Sequence, residues 1–101
     1  MHAINVLYPQ GDLNEAYYAS THGPLVKEKL TPVGLRRFYY QTIGPGPDGS
    51  PPPFRMVAHL VFDDLASLQR AMASPEMRAV VGDVKNFYSG RIQVLIGEIH
   101  E

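Results

Sequence analysis

The chain has 101 residues, nine Lys and Arg against ten Asp and Glu, a formal net charge of −1, and no cysteine. The near-neutral balance gives no electrostatic footprint for nucleic acid or for an anionic membrane surface. The missing cysteine excludes disulfides, thiolate catalysis and Cys-ligated zinc or iron–sulfur centres.

The length predicts one domain over residues 1–101 with a single core. It is too short for that core and a deep internal pocket together, so a sizeable cavity is expected to need a second chain to close it. The first residues lack a basic segment followed by a long apolar run, and no apolar run approaches the ~20 residues of a membrane span. A soluble, cytoplasmic protein is expected.

Residues 3–8, Ala-Ile-Asn-Val-Leu-Tyr, are apolar and β-branched and stop at Pro9-Gln10-Gly11, which predicts a first strand and a turn. Asp12 or Asn14 can cap the helix that follows. Leu13, Tyr17, Leu25 and Leu30 fit one broad helical face, interrupted at Gly23-Pro24, where a kink or a restart is expected. Thr31-Pro32-Val33-Gly34 ends the helix. Residues 35–43 are aromatic and β-branched and read as a second strand.

Residues 44–53 carry five prolines and repeated glycines, so they form a long exposed loop. Residues 55–62 are the third strand. Asp63 or Asp64 caps a helix over 65–73, and Ser74-Pro75 starts a shorter one through Met77, Val80 and Val81. Residues 91–99 are the fourth strand. The order β-α-β-β-α-β predicts an α+β, ferredoxin-like plan: a four-stranded antiparallel sheet with its helices on one face.

Alternation along the strands separates two sheet faces. Ile4, Val6, Met56, Ala58, Leu60, Phe62, Ile92, Val94 and Ile96 carry no polar residue and belong under the helices. The opposite parity reads Ala3, Asn5, Leu7, Val57, His59, Val61, Gln93, Leu95, Gly97 and Ile99, mostly apolar with one polar group on each of three strands. An exposed patch of several hundred Å² is more than monomers usually leave wet. At about 25 cal/mol per Å², covering it is worth on the order of 10 kcal/mol before association costs. The expectation is a homodimer with the sheets face to face and an apolar cavity between them, into which Asn5, His59 and Gln93 point. The plain alternative is a packed interface with those three groups hydrogen-bonded and no ligand.

The densest chemistry lies in residues 17–25, Tyr-Tyr-Ala-Ser-Thr-His-Gly-Pro-Leu. His22 can take or give a proton near neutral pH. Spacing of four favours Tyr18 as its neighbour on the helix and leaves Tyr17 as a core anchor. Tyr8 is a candidate hydrogen-bonding group at a pocket mouth. Phe62, Phe87 and Tyr88 are candidate walls, though aromatics at such spacing also build cores. Arg36 and Arg37 point to opposite faces of strand two, and the sequence leaves open which faces inward. His2, His22, His59 and His100 show no metal-ligand spacing, and no glycine-rich phosphate loop is present, so neither a metal nor a nucleotide cofactor is expected.

Val6-Leu7-Tyr8-Pro9, Tyr17-Tyr18 with His22-Gly23-Pro24-Leu25, Leu60-Val61-Phe62-Asp63, Ala71-Met72-Ala73-Ser74-Pro75 and Asn86-Phe87 together resemble the EthD-like family of dimeric α+β-barrel proteins, in the right order over nearly the whole chain. The tyrosine pair followed by His-x-Pro-Leu is the most specific piece. The resemblance implies a ferredoxin-like fold, a face-to-face dimer, a pocket between sheet and helix, and a small hydrophobic or aromatic ligand. The expected site is His22 and Tyr18 as catalytic groups, with Asn5, Tyr8, His59, Phe62 and Phe87 as ligand contacts. Cofactor-free oxidation, cyclisation or decarboxylation would all suit such a site. A non-catalytic accessory protein that shelters a hydrophobic compound is the competing expectation.

Overall fold

The computed structural model describes all residues, 1–101. Four strands, β1 (His2–Pro9), β2 (Leu35–Thr42), β3 (Phe54–Phe62) and β4 (Gln93–Glu98), form one antiparallel sheet in the order β2-β3-β1-β4. This is the α+β, ferredoxin-like arrangement. Asn5 lies opposite His59 on one side and Leu95 on the other, so the polar residues of β1 and β3 meet in one row, while Gln93 of β4 lies opposite Leu7.

Two helical segments cover one face of the sheet. The first runs as α1 (Glu15–Tyr17), a π-helical turn (Tyr18–His22), α2 (Gly23–Leu30) and a 3-10 turn (Thr31–Val33). The second runs as α3 (Leu65–Met72), α4 (Pro75–Gly82) and a 3-10 turn (Val84–Asn86). Of the two candidate caps before each of the first helices, Asn14 and Asp64 act: Asn14 Oδ1 accepts from the Tyr17 N–H (3.0 Å) and Asp64 Oδ1 from the Ser67 N–H (2.8 Å). Ser74 Oγ accepts from the Met77 N–H, with Pro75 at the first helical position. Each cap satisfies an orphan donor and is worth about 1 kcal/mol. Gly34, with φ +112°, ends the first segment in the left-handed region.

An α-helix restarts at Gly23 with Pro24 in its first turn, one of the two expected outcomes. The chain stays helical but widens: the Gly23 N–H bonds to the Tyr18 carbonyl, five residues back. Proline has no N–H for the carbonyl four residues earlier and its ring crowds that oxygen, and a wider turn relieves both. The buried face also differs from the expected one. It is Tyr18, His22, Val26 and Leu30, all 2% exposed or less, while Leu13 lies outside the helix, bridged to Tyr88. Positions four apart drift about 40° per step in a regular α-helix, and the wide turn takes back part of that drift, which keeps the four in one stripe.

The core lies between helices and sheet, around Ile4, Met56, Leu60, Phe62, Leu30 and Leu68. The predicted helix-side parity holds on β1, β3 and β4, where Val94 lies beside Val6 and Ile96 beside Ile4, but the covering is incomplete on β4. Val94 and Ile96 are 45% and 48% exposed because β4 is an edge strand that the helices cover only in part. No helix is long and apolar enough to cross a membrane.

Candidate functional site

A cavity of about 190 Å³ lies between the sheet and the helices. An apolar protein cavity of about 150 Å³ is enough to hold benzene, so the space suits a one-ring molecule. One chain supplies its whole lining and leaves one side open. Its floor is Ile4, Val6, Ala58 and Leu60 from the central strands, and its roof comes from α2 and α4. Met72, Val81 and Val94 line it too, yet each is more than 40% exposed. They mark its mouth, beside the β4 edge that the helices leave open.

Of the 16 lining residues 15 are hydrophobic, and the exception is His22. The π-helical turn places its imidazole 5.0 Å from the Tyr18 ring and 4.5 Å from the Phe87 ring, centroid to centroid. Nδ1 lies 2.9 Å from Asp83 Oδ2 at the end of α4, 61 residues away in the chain. A carboxylate only accepts, so Nδ1 carries the proton and donates it. In the neutral ring Nε2 is then a lone-pair acceptor, and it has no hydrogen-bond partner in the protein.

Asp83 was not singled out from the sequence. Its Oδ1 also accepts from the Tyr17 hydroxyl and from Asn86 Nδ2, both at 2.8 Å. Tyr17 packs against the core, its ring stacked on Phe87, and its hydroxyl buttresses this carboxylate as well. A turn closed five residues back puts Tyr17 and His22 on neighbouring positions, so both phenols of the pair flank the imidazole. The only local hint of Asp83 was an acidic residue at a helix C-terminus, where the dipole disfavours negative charge.

Burial pushes the His22 imidazole below its usual 6.5, and the Asp83 hydrogen bond and charge pull it only part of the way back. It is neutral at pH 7. Burial raises the Asp83 carboxyl, but the hydrogen bonds from Asn86, His22 and Tyr17 outweigh that and leave it below the usual carboxylate range. Tyr8 is pushed up to about 12, mainly by burial, and Tyr18 is raised further by burial and by the facing Tyr8. Both stay protonated, so Tyr18 has no acid/base role of its own near neutral pH.

These shifts set a pH window. Above about pH 6.5 His22 is neutral folded or unfolded and contributes no pH dependence. Below it the unfolded chain takes a proton that the folded site resists, so stability falls as pH drops from 6.5 through the lowered folded value. His59, also lowered by burial, acts in the same window. Asp83, depressed in the fold, contributes stability above its unfolded value near 3.8 and loses it as pH falls through the folded value. Thermal melts from pH 8 to pH 3 should be level down to about 6.5 and then descend. The first part of that descent should shrink in His22→Phe; an unchanged descent would rule out the burial effect at this site.

The remaining predicted residues divide. Tyr8 sits deep in the cavity, not at its mouth, because it ends the central strand beneath the helices; it is 2% exposed and its ring meets Tyr18, Phe87 and Tyr88. Phe87 packs behind His22 and does not line the cavity. Phe62 is fully buried core, also away from it.

Asn5 and His59 are on the opposite face of the sheet. The expectation that they reach the same cavity as His22 is corrected, since neighbouring parities point to opposite faces. His59 Nδ1–H donates to Asn5 Oδ1 (2.8 Å), Asn5 Nδ2 donates to the Leu95 carbonyl (3.1 Å), and His59 Nε2 lies 3.0 Å from the Gln41 side-chain amide. Gln93 is exposed at the start of β4. On β2, Arg37 lies over the Tyr39 ring, which stacks on His59, so Arg37 faces this open side; Arg36 pairs with Asp63 instead. No residue of the 44–53 loop lines the cavity, and no group of three or more His, Asp or Glu is placed to hold a metal.

A family model for the EthD domain matches residues 14–91, which span both helical segments, the central hairpin and the His22–Asp83 pair. The chain belongs to the EthD family. An uncharacterised 11.0 kDa protein from the thcB–thcC intergenic region of Rhodococcus erythropolis is 35% identical over 81 residues, 80% of this chain and 75% of that protein. The crystal structure of an EthD family protein from Bacillus halodurans is 30% identical, with a TM-score of 0.83 over 99% of both chains. More distant structures share the fold alone with this EthD protein. SnoaB, a cofactor-independent oxygenase from Streptomyces nogalater, is 15% identical with a TM-score of 0.66, covering 99% of this chain and 92% of its own. A dimeric ferredoxin-like protein of unknown function from Jannaschia is 17% identical, with a TM-score of 0.66 over 97% of each chain.

Proposed function

We propose that this EthD protein binds a small hydrophobic or aromatic molecule in the cavity between sheet and helices, and that His22 Nε2 acts on it as a general base. One observation carries this reading: the single non-hydrophobic residue on the cavity wall is a neutral imidazole with its lone pair free and its other nitrogen tied to a carboxylate. A base that is neutral at pH 7, oriented by a buried partner and shielded from water, is what proton abstraction requires. Nε2 takes a proton from a ligand O–H or C–H, Asp83 stabilises the imidazolium, and the proton returns to the product. Tyr18 and Tyr8, held protonated, can donate to the oxygen on which charge develops. The fold-level likeness to SnoaB supports chemistry without a resident cofactor on such a scaffold.

The competing reading, a protein that shelters a hydrophobic compound without converting it, uses the same cavity, so a binding test comes first. The protein is equilibrated with a library of small aromatics and what it retains is identified by mass spectrometry, for wild type and Val81→Trp. Val81 is 53% exposed at the mouth, so an indole there should plug entry without disturbing His22. Retention should fall at least tenfold in Val81→Trp. Equal retention would mean that binding occurs elsewhere.

We further propose a homodimer, sheet to sheet. Leu95 (57% exposed), Ile99 and Tyr39 remain exposed on the open face beside the half-buried Asn5–His59 pair, too much apolar surface to stay in water. The dimeric Jannaschia neighbour supports this. Sedimentation should give twice the chain mass of 11.2 kDa, and Leu95→Lys should shift it to one chain. A wild-type monomer at 100 μM would overturn the proposal.

A further inference from the structure

The polarity of the cavity's one free acceptor narrows the ligand class. This step rests on the cavity reading above. Nδ1–H of His22 is committed to Asp83, so the ring offers a lone pair at Nε2 and no proton. A ligand carbonyl, ether or nitro oxygen facing Nε2 would set acceptor against acceptor and leave both unpaired in a dry site. A hydroxyl donates to Nε2 and can accept from a tyrosine at the same time, matching both polarities present. No Lys or Arg lines the cavity, so an anion entering it would lose its hydration with no cation to replace it. Around the acceptor the walls include three rings, Tyr8, Tyr18 and Phe38, with Tyr8 and Tyr18 meeting edge-on at 5.9 Å and Phe87 packed behind them. Such rings favour another aromatic body over an aliphatic one of equal size. The volume, about 190 Å³, admits one substituted ring.

We infer that the ligand is a neutral phenol, one aromatic ring whose hydroxyl donates to His22 Nε2. The same bond aims the hydroxyl proton at Nε2, and the phenol stays neutral in the ground state because its acidity is far weaker than that of the imidazolium it would form.

Phenol and toluene, which exchange a hydroxyl for a methyl at nearly equal size, are titrated into wild type and His22→Phe by calorimetry at pH 7.5. Toluene is the better ligand of a purely apolar hole, because phenol gives up hydrogen bonds to water on entering. In wild type phenol should therefore bind at least as tightly as toluene. In His22→Phe the phenol-to-toluene affinity ratio should fall about tenfold. Toluene binding with a ratio that His22→Phe leaves unchanged would overturn the phenol assignment and leave the cavity intact as a hydrophobic site. Failure of both probes to bind wild type would overturn the cavity reading, and this inference with it. A readout that does not depend on the variant folding is the ¹⁵N spectrum of the wild-type imidazole. The Nδ1–H tautomer is expected for His22, and an Nε2–H tautomer would overturn the assignment.

Discussion

Asp83→Ala should lower the stability of the protein by about 2–4 kcal/mol. Three side chains lose one acceptor at once: the Tyr17 hydroxyl, Asn86 Nδ2 and His22 Nδ1. A hydrogen bond to a charged group contributes ~1.5–3 kcal/mol, and three that share one carboxylate do not add. The His22 donor is the decisive loss, because that side chain is 3% exposed and water cannot take the place of the carboxylate. For a chain of this length the change corresponds to a drop of roughly 10–25 °C in melting temperature. Asp83→Asn keeps an acceptor oxygen and should lose less than half as much. Chemical denaturation of the two variants against wild type measures both. If Asp83→Ala loses less than about 1 kcal/mol, the carboxylate is a solvated surface group and does not orient the imidazole.

His22→Ala should reduce turnover of any compound the cavity converts by roughly 10²–10⁴-fold, the range for removal of a general base. The loss belongs in kcat more than in KM, since Ile4, Val6, Ala58 and Leu60 still enclose the apolar body of the ligand. Tyr18→Phe keeps the ring and removes a hydroxyl that does not titrate near neutral pH, so its effect should be smaller, about tenfold. The compounds retained in the mass-spectrometric screen are the substrates to assay. Wild-type turnover that His22→Ala leaves unchanged would remove the base from the mechanism. Retention without turnover in wild type would select the sheltering role.

The local features of this chain were legible because each is written within a few residues. Asn14, Asp64 and Ser74 each accept from a backbone N–H three positions on, so a cap can be read from its own neighbourhood. Alternation along residues 3–8 and 55–62 separates the two sheet faces, and the register bears it out: Ile4 and Leu60 are both buried, while Asn5 and His59 meet on the other side. His22 stood out through the company of Tyr17, Tyr18 and Pro24.

Asp83 did not stand out, because nothing near it distinguishes a solvated helix-end carboxylate from one that reaches a histidine 61 residues away. The width of the helical turn at Tyr18–His22 was hidden as well. Proline announces a disturbance, but whether the helix breaks or widens depends on what its far side must bury, here the stripe from Tyr18 to Leu30.

By itself the sequence determined the order of strands and helices, the two faces of the sheet and the histidine with its tyrosines, and it narrowed two of the helix caps to a pair of candidates each. Only the tertiary structure decided which face holds the cavity, that one chain lines it, and that His22 is paired with Asp83. The physical reason is that periodicity reports whether a side chain is shielded from water and says nothing about what shields it. The chemistry of a site depends on the partner that packing brings from elsewhere in the chain.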